Sequence, residues 1–259
     1  MTYLDVVLES SDLSLSRGKR FEARRVVDGV TMQLRRGRSL AVIGPTGSGK
    51  SSLLAAFAGA GAGGLAIAGG AAHVLGVSIR HSGRNWRKIA SSIGYVPQSA
   101  GTKLPAELTV AEVVAEPVLA RSRRVNQRAL DVTVASLLDE LMLPIGSGEK
   151  FPFELSTGMR QRVALARALV EEPLVLIADE PLATMDVDVR RAASAAITRR
   201  RDEYGMATLI VTHEAEVVTE LGADIRVMRA GTVVAEGAAL DELLWTPGTP
   251  TAQRQNVLS

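Results

Sequence analysis

Residues 44–51 restrict this chain's fold more than any other segment. Gly44, Pro45, Thr46, Gly47, Ser48, Gly49, Lys50 and Ser51 fit the pattern G-x-x-x-x-G-K-[ST], with Ser52 following. An apolar run precedes the loop at 39–43, and a helical stretch over 50–60 follows it. That order makes a strand, a tight glycine turn and a helix, a unit that needs further strands beside it and helices over the sheet. The residue types also specify a chemistry. Glycines let successive backbone N–H groups point inward at phosphate oxygens, and the helix N-terminus adds its positive end. Lys50 then reaches the β- and γ-phosphates of a nucleotide, and the Ser51 hydroxyl ligates Mg²⁺. A glycine turn that binds nothing would have to match the four specified positions of this eight-residue pattern, in the right strand–loop–helix setting, by chance.

The remaining chain repeats the strand–helix theme. Residues 3–9 and 30–34 read as strands, with a turn at Gly37 before the run at 39–43. Glycines alternate with short apolar pieces over 59–76, which predicts short strands and tight turns. From 109 to 143 apolar residues recur at i, i+3 and i+4, broken by the basic cluster 121–124. Helices are expected again over 158–170, 187–204 and 214–221, and near 240–244. Strands are expected over 174–178, 207–211, 225–228 and 232–235. Alternation of this kind argues for an α/β fold with a mostly parallel sheet. The stretch 109–152 looks like a helical insertion into it.

Composition narrows the class. Hydrophobic residues make up 46% and aromatics only 3%, so the core is built from Ala, Val, Leu and Ile, as suits parallel strands covered on both faces. There are no cysteines, which removes disulfides, thiol catalysis and cysteine-ligated metals. A net charge of +2 does not call for nucleic acid as a partner. Basic clusters at 17–25, 121–124 and 199–201 read as solvated faces. No apolar run approaches the roughly 20 residues of a membrane span, and the first ten residues do not form a secretory signal. Action at a membrane would therefore need other chains to cross it.

A glycine loop of this kind expects an acid at the end of a neighbouring strand. The apolar run 174–178 ends in Asp179 and Glu180. Asp179 is placed to hold Mg²⁺, and Glu180 to orient and polarise an attacking water.

Between the two phosphate motifs, Leu155, Ser156, Thr157, Gly158 and Met159 lead into Arg160, Gln161, Arg162 and an apolar helix. This segment resembles the signature of the ATP-binding subunits of ABC transporters. The resemblance covers about residues 3–244 and implies the ABC ATPase fold: a P-loop core of mostly parallel sheet, an antiparallel β part, and a helical subdomain inserted at about 99–157. It also implies one nucleotide-binding domain over 1–259, with a short tail from about 245. By the same resemblance Ser156 and Gly158 cap the γ-phosphate held by an opposite subunit. Gln98 joins core to insertion and shares the Mg²⁺ and γ-phosphate side, and Asp186 lies on a loop crossing the dimer interface. His213 is the switch histidine, and Phe21 stacks on adenine. The implied reaction is hydrolysis of ATP with Mg²⁺. The implied partners are integral membrane subunits, a second ATPase subunit in a homo- or heterodimer, and an extracytoplasmic solute-binding protein. The implied location is the cytoplasmic face of the cell membrane.

Residues 108–117 and 151–155 and the tail at Pro247 resemble the peptide/nickel importer branch in particular. The cysteine-bearing extension of many branch members is not expected here. A single-cassette exporter or lipid-handling ATPase is the alternative, and a non-transport ABC ATPase is further off because no coiled-coil arms are seen. Two departures stand out. Thr157 replaces the signature's first glycine, putting a Cβ and hydroxyl into a crowded spot, and Ala183, Thr184 and Met185 replace the usual small-residue–Ala–Leu pattern before Asp186. Both weaken the face shown to a partner's nucleotide and suit a heterodimer, while this chain's own P-loop side stays intact.

Overall fold

The computed structural model describes residues 5–18, 23–61, 64–80, 83–122 and 124–247. Its strands are β1 (Val6–Arg17), β2 (Arg24–Arg35), β3 (Ser39–Ile43), β4 (Leu65–Val74), β5 (Val77–Ser78), β6 (Ile93–Val96), β7 (Val175–Asp179), β8 (Ala207–Val211), β9 (Asp224–Arg229), β10 (Thr232–Gly237) and β11 (Leu244–Trp245). Its helices are α1 (Lys50–Phe57), α2 (Arg84–Ile89), α3 (Val110–Arg121), α4 (Gln127–Glu140), α5 (Thr157–Leu169), α6 (Val187–Tyr204) and α7 (Ala215–Glu220). Two sheets form: an antiparallel one ordered β2-β1-β4-β5 and a seven-stranded one ordered β11-β10-β9-β3-β8-β7-β6. From β9 to β6 the second sheet is parallel, with β10 and β11 antiparallel at its edge. Strands β3, β7 and β8 are buried at every position. Their side chains alternate between two cores. Ala41, Ile43, Leu176, Ala178 and Ile210 face the helices α3 to α6. Leu40, Val42, Val175, Ile177 and Leu209 face α1 and the antiparallel sheet. Continuous apolar runs are what such doubly covered strands require.

Several expectations change in the structure. β1 and β2 run far beyond 3–9 and 30–34, because their pairing tolerates bulges and alternate residues are polar on the outer side. The glycine-rich stretch 59–76 contains one ten-residue strand, β4, rather than several short ones, since β1 supplies it with a long antiparallel partner. α2 and β6 carried no clear periodic signal. Near 240–244 only a single 3-10 turn, Leu240–Glu242, forms before β11.

The inserted helices are tied to the rest by apolar packing and by charge. Thr109 and Glu112 form a reciprocal capping box that starts α3. Val113, Leu137 and Leu141 share one core with α5 and the sheet. At the far end of α4, Glu140 takes a bidentate pair from Arg200 at 2.8 Å to each oxygen, and Arg199 joins it from α6. Glu140 and Arg200 are each only 14% exposed, so this pair is shielded from water. Glu140→Ala should cost about 1–3 kcal/mol, because it leaves a half-buried guanidinium without its carboxylate. Thermal unfolding of the variant is expected several degrees below wild type; an unchanged midpoint would show that the pair adds nothing.

Candidate active site at the end of the parallel sheet

β3, β8 and β7 lie side by side in that order, so their C-terminal ends bring three separate sequence segments to one place. The glycine loop follows β3, His213 follows β8, and Asp179 and Glu180 close β7. The acid-bearing strand is thus one removed from the loop's strand rather than its neighbour, because β8 pairs with both. A cavity of about 270 Å³ at this edge is lined by Thr46, Gly47, Ser48, Gly49, Lys50, Ser51, Ser52, Gln98, Asp179, Glu180 and His213, with Val26 and Val211.

The loop's shape depends on backbone that only glycine adopts there. At Gly44 φ is +136°, and a Cβ would lie 2.1 Å from the Met228 carbonyl oxygen. At Gly49 φ is +103°, and a Cβ would lie 2.3 Å from the Val26 carbonyl oxygen. β2 and β9 therefore buttress the loop from two sides, and Gly231 N–H adds a bond to the Ser48 carbonyl at 3.0 Å. No sequence pattern marked Val26 or Gly231, since their contribution is proximity alone.

Lys50 is 6% exposed, and its ammonium donates to the carbonyls of Gly44 at 2.6 Å and Pro45 at 2.9 Å. Burial pulls its pKa below the ordinary lysine value, partly offset by the charges of Asp179 and Glu180. Burial likewise pushes the Asp179 carboxyl up, opposed by a hydrogen bond from Ser51 and by Lys50. Asp179 Oδ1 is buried with no hydrogen-bond partner among the described residues. An orphaned carboxylate oxygen beside the Ser51 hydroxyl is the donor set a hard divalent cation takes. No group of three or more His, Asp or Glu among the described residues could hold a metal by itself. Mg²⁺ here would fill its shell with phosphate oxygens and water, as it usually does.

Glu180 sits in left-handed backbone at φ +50°. Its N–H donates to the Val211 carbonyl at 2.9 Å, which fixes β7 against the end of β8. Its Oε1 is 3.3 Å from His213 Nε2. The His213 loop is held in turn by Arg190, which pairs with Glu214 at 2.9 Å.

Ser156, Gly158 and Asp186 do not line this cavity. Ser156 caps α5 through the Met159 N–H at 3.2 Å, and Asp186 caps α6 through the Val189 N–H at 3.0 Å. Thr157 is exposed at the start of α5, so the crowding expected of it does not arise within this chain. Thr184 holds φ +68° in the loop before Asp186. Phe21 lies outside the described residues.

The family model for "ABC transporter" matches residues 27–183, more than half of the chain. The chain belongs to the ABC transporter family. The matched span contains the glycine loop, Ser156, Gly158, Asp179 and Glu180, and ends before Asp186 and His213. This ABC transporter chain is 34% identical over 217 residues to the oligopeptide transport ATP-binding protein OppD of Mycobacterium tuberculosis, covering 82% of its own length and 34% of the relative's. It is 33% identical over 236 residues to the Fe(3+) ions import ATP-binding protein FbpC of Serratia marcescens, covering 91% of itself and 65% of that protein. The chain thus spans about a third of OppD and about two thirds of FbpC. In fold it matches the dimeric post-hydrolysis structure of the ATP-binding cassette MJ0796 bound to ADP and Pi, with TM-score 0.80 and 23% identity over 88% of this chain and 97% of that one. Among the described residues of this ABC transporter chain, no helix is long and apolar enough to cross a membrane.

Proposed function

We propose that this chain binds and hydrolyses ATP to power import of a solute, peptides or nickel-like substrates, through separate integral membrane subunits, acting from the cytoplasmic face of the cell membrane. One observation carries the reading: the glycine loop, Lys50, Ser51, Gln98, Asp179, Glu180 and His213 converge on a single cavity. The peptide class is supported by the likeness to OppD and by the importer-like segments around α3 and before α5, although FbpC handles Fe(3+) at nearly the same identity.

In this reading the loop N–H groups and Lys50 hold the β- and γ-phosphates of ATP. Ser51 and Asp179, with Gln98, would hold Mg²⁺. A bound Mg²⁺ supplies charge neutralisation on those phosphate oxygens. Glu180 orients a water and accepts its proton as the water oxygen bonds to the γ-phosphorus and the β–γ bridge breaks, giving ADP and phosphate. His213 holds the Glu180 carboxylate in place. Ser156 and Gly158 face outward at a helix N-terminus with no acid in its first turn, which suits the γ-phosphate held by a second ATPase subunit. Asp186, at the N-terminus of α6, belongs in this reading to the loop that meets the second subunit. Import further implies an extracytoplasmic solute-binding protein.

The test is capture of the Glu180→Gln variant from its native host in detergent with MgATP, with the retained proteins identified by mass spectrometry. Multi-span membrane subunits are expected, with a solute-binding protein whose bound solute names the substrate. Recovery of soluble or nucleic-acid-bound partners alone would overturn the transport reading and leave the ATPase reading standing.

A further inference from the structure

Gln161 lies on α5, and its side-chain amide bonds to two other segments of the chain. The residue is 8% exposed. Nε2 donates to the Glu180 carbonyl at 3.2 Å, and Oε1 accepts from the Gly101 N–H at 3.3 Å. Gly101 belongs to the 3-10 turn Ala100–Lys103, just past Gln98. This turn packs so tightly on α5 that a Cβ at Gly101 would lie 2.8 Å from the Gln161 nitrogen. One amide therefore joins three segments: the signature helix, the loop after β6 that carries Gln98, and the peptide of Glu180.

The Glu180 peptide needs such support. Its φ of +50° is a conformation that a residue with a side chain rarely adopts. Left-handed backbone of this kind persists only where its surroundings over-determine it. The N–H of Glu180 is held by Val211, and its carbonyl accepts from Gln161 Nε2 at 3.2 Å and from the Ala183 N–H of the same turn at 3.3 Å, so Gln161 is the one side-chain donor that ties this carbonyl to another segment. Without Gln161 only the local turn bond from Ala183 remains on the carbonyl, which leaves the peptide free to relax toward an ordinary conformation and to carry the carboxylate away from His213. We infer that Gln161 is a positioning residue for hydrolysis: it fixes the backbone of Glu180 and makes that orientation depend on how α5 and the Gln98 loop are seated. The inference rests on the reading of Glu180 as the residue that orients water. A buried glutamine could merely satisfy itself on nearby atoms, but then its loss would lower stability and leave the chemistry of folded molecules unchanged.

Two variants remove both hydrogen bonds at nearly constant volume, Gln161→Leu and Gln161→Met. Each is assayed as the full chain with its co-purifying membrane subunits, with phosphate release expressed per nucleotide-binding site so that unfolded protein is not counted. The expected result is a kcat lowered by about 10–100-fold with KM little changed, since a displacement of about 1 Å in a reacting group costs this much. Hydrogen exchange is expected to quicken over residues 98–103 and at the 180–182 turn. A folded variant with wild-type kcat per site would overturn the inference, as would a rate loss that disappears after that normalisation. Glu180→Gln is run alongside: turnover that survives it removes the underlying reading of Glu180 and leaves the Gln161 contact a structural one.

Discussion

Replacing Glu180 with glutamine is expected to leave MgATP binding near wild type and lower turnover by about 10²–10⁴-fold, the usual loss when a positioned base is removed. The side chains are nearly the same size, and the backbone hydrogen bonds of residue 180 to Val211 and Gln161 do not involve the carboxylate. Lys50, Ser51 and Asp179 are untouched, so the groups proposed to hold the phosphates and Mg²⁺ stay. What changes is that an amide cannot take the proton of water. His213 Nε2, 3.3 Å from the carboxylate, then faces a group whose oxygen still accepts a hydrogen bond. Phosphate release and equilibrium nucleotide binding, measured on one preparation, separate the two effects. Hydrolysis at near wild-type rate would show that Glu180 is not the base. Loss of binding together with turnover would show that it is needed to build the cavity.

A second large effect is expected far from any reacting atom. Phe57 is fully buried at the end of α1, the helix that the glycine loop begins. It packs among residues of both sheets, in the same core as Leu8, Val74, Ile177 and Leu209. Phe57→Ala should cost about 3–5 kcal/mol, from lost transfer energy and a cavity that two rigid sheets cannot close. In a chain of this size each kcal/mol moves the thermal midpoint by about 2–4 °C, so a fall near 10 °C is expected. Nucleotide affinity should weaken as well, because α1 carries Lys50 and Ser51 at its other end. Phe57→Leu retains most of the volume and should recover most of the midpoint. If Phe57→Ala unfolds at the wild-type temperature, the two sheets are not held together through this helix.

Much of this molecule was legible in its residue order. Ser39–Ile43, Val187–Tyr204 and Ala207–Val211 fall where the apolar runs and helical spacing place them, because burial on both faces leaves an unbroken apolar signature and an amphipathic helix leaves a 3.6-residue one. The glycine loop and Asp179–Glu180 were readable as short chemical patterns at the ends of recognisable strands, and His213 was placed by the resemblance to the ABC family. The length of β4 was not readable, since the glycines that suggest turns are accommodated by pairing with a distant strand. Nor was the place of β8 between β3 and β7, which brings His213 to within reach of Glu180.

The sequence by itself determined which groups could hold a phosphate and which acid could face a water, because those depend on residue type and local turn geometry. Only the tertiary structure decided that Gln161 holds the Glu180 carbonyl and that Arg190 steadies the loop of His213. These are contacts between segments about 20 to 60 residues apart, and local propensity has no term for them. They form when burial of two apolar cores closes the sheets, and the polar groups carried along must then find partners where the packing leaves them.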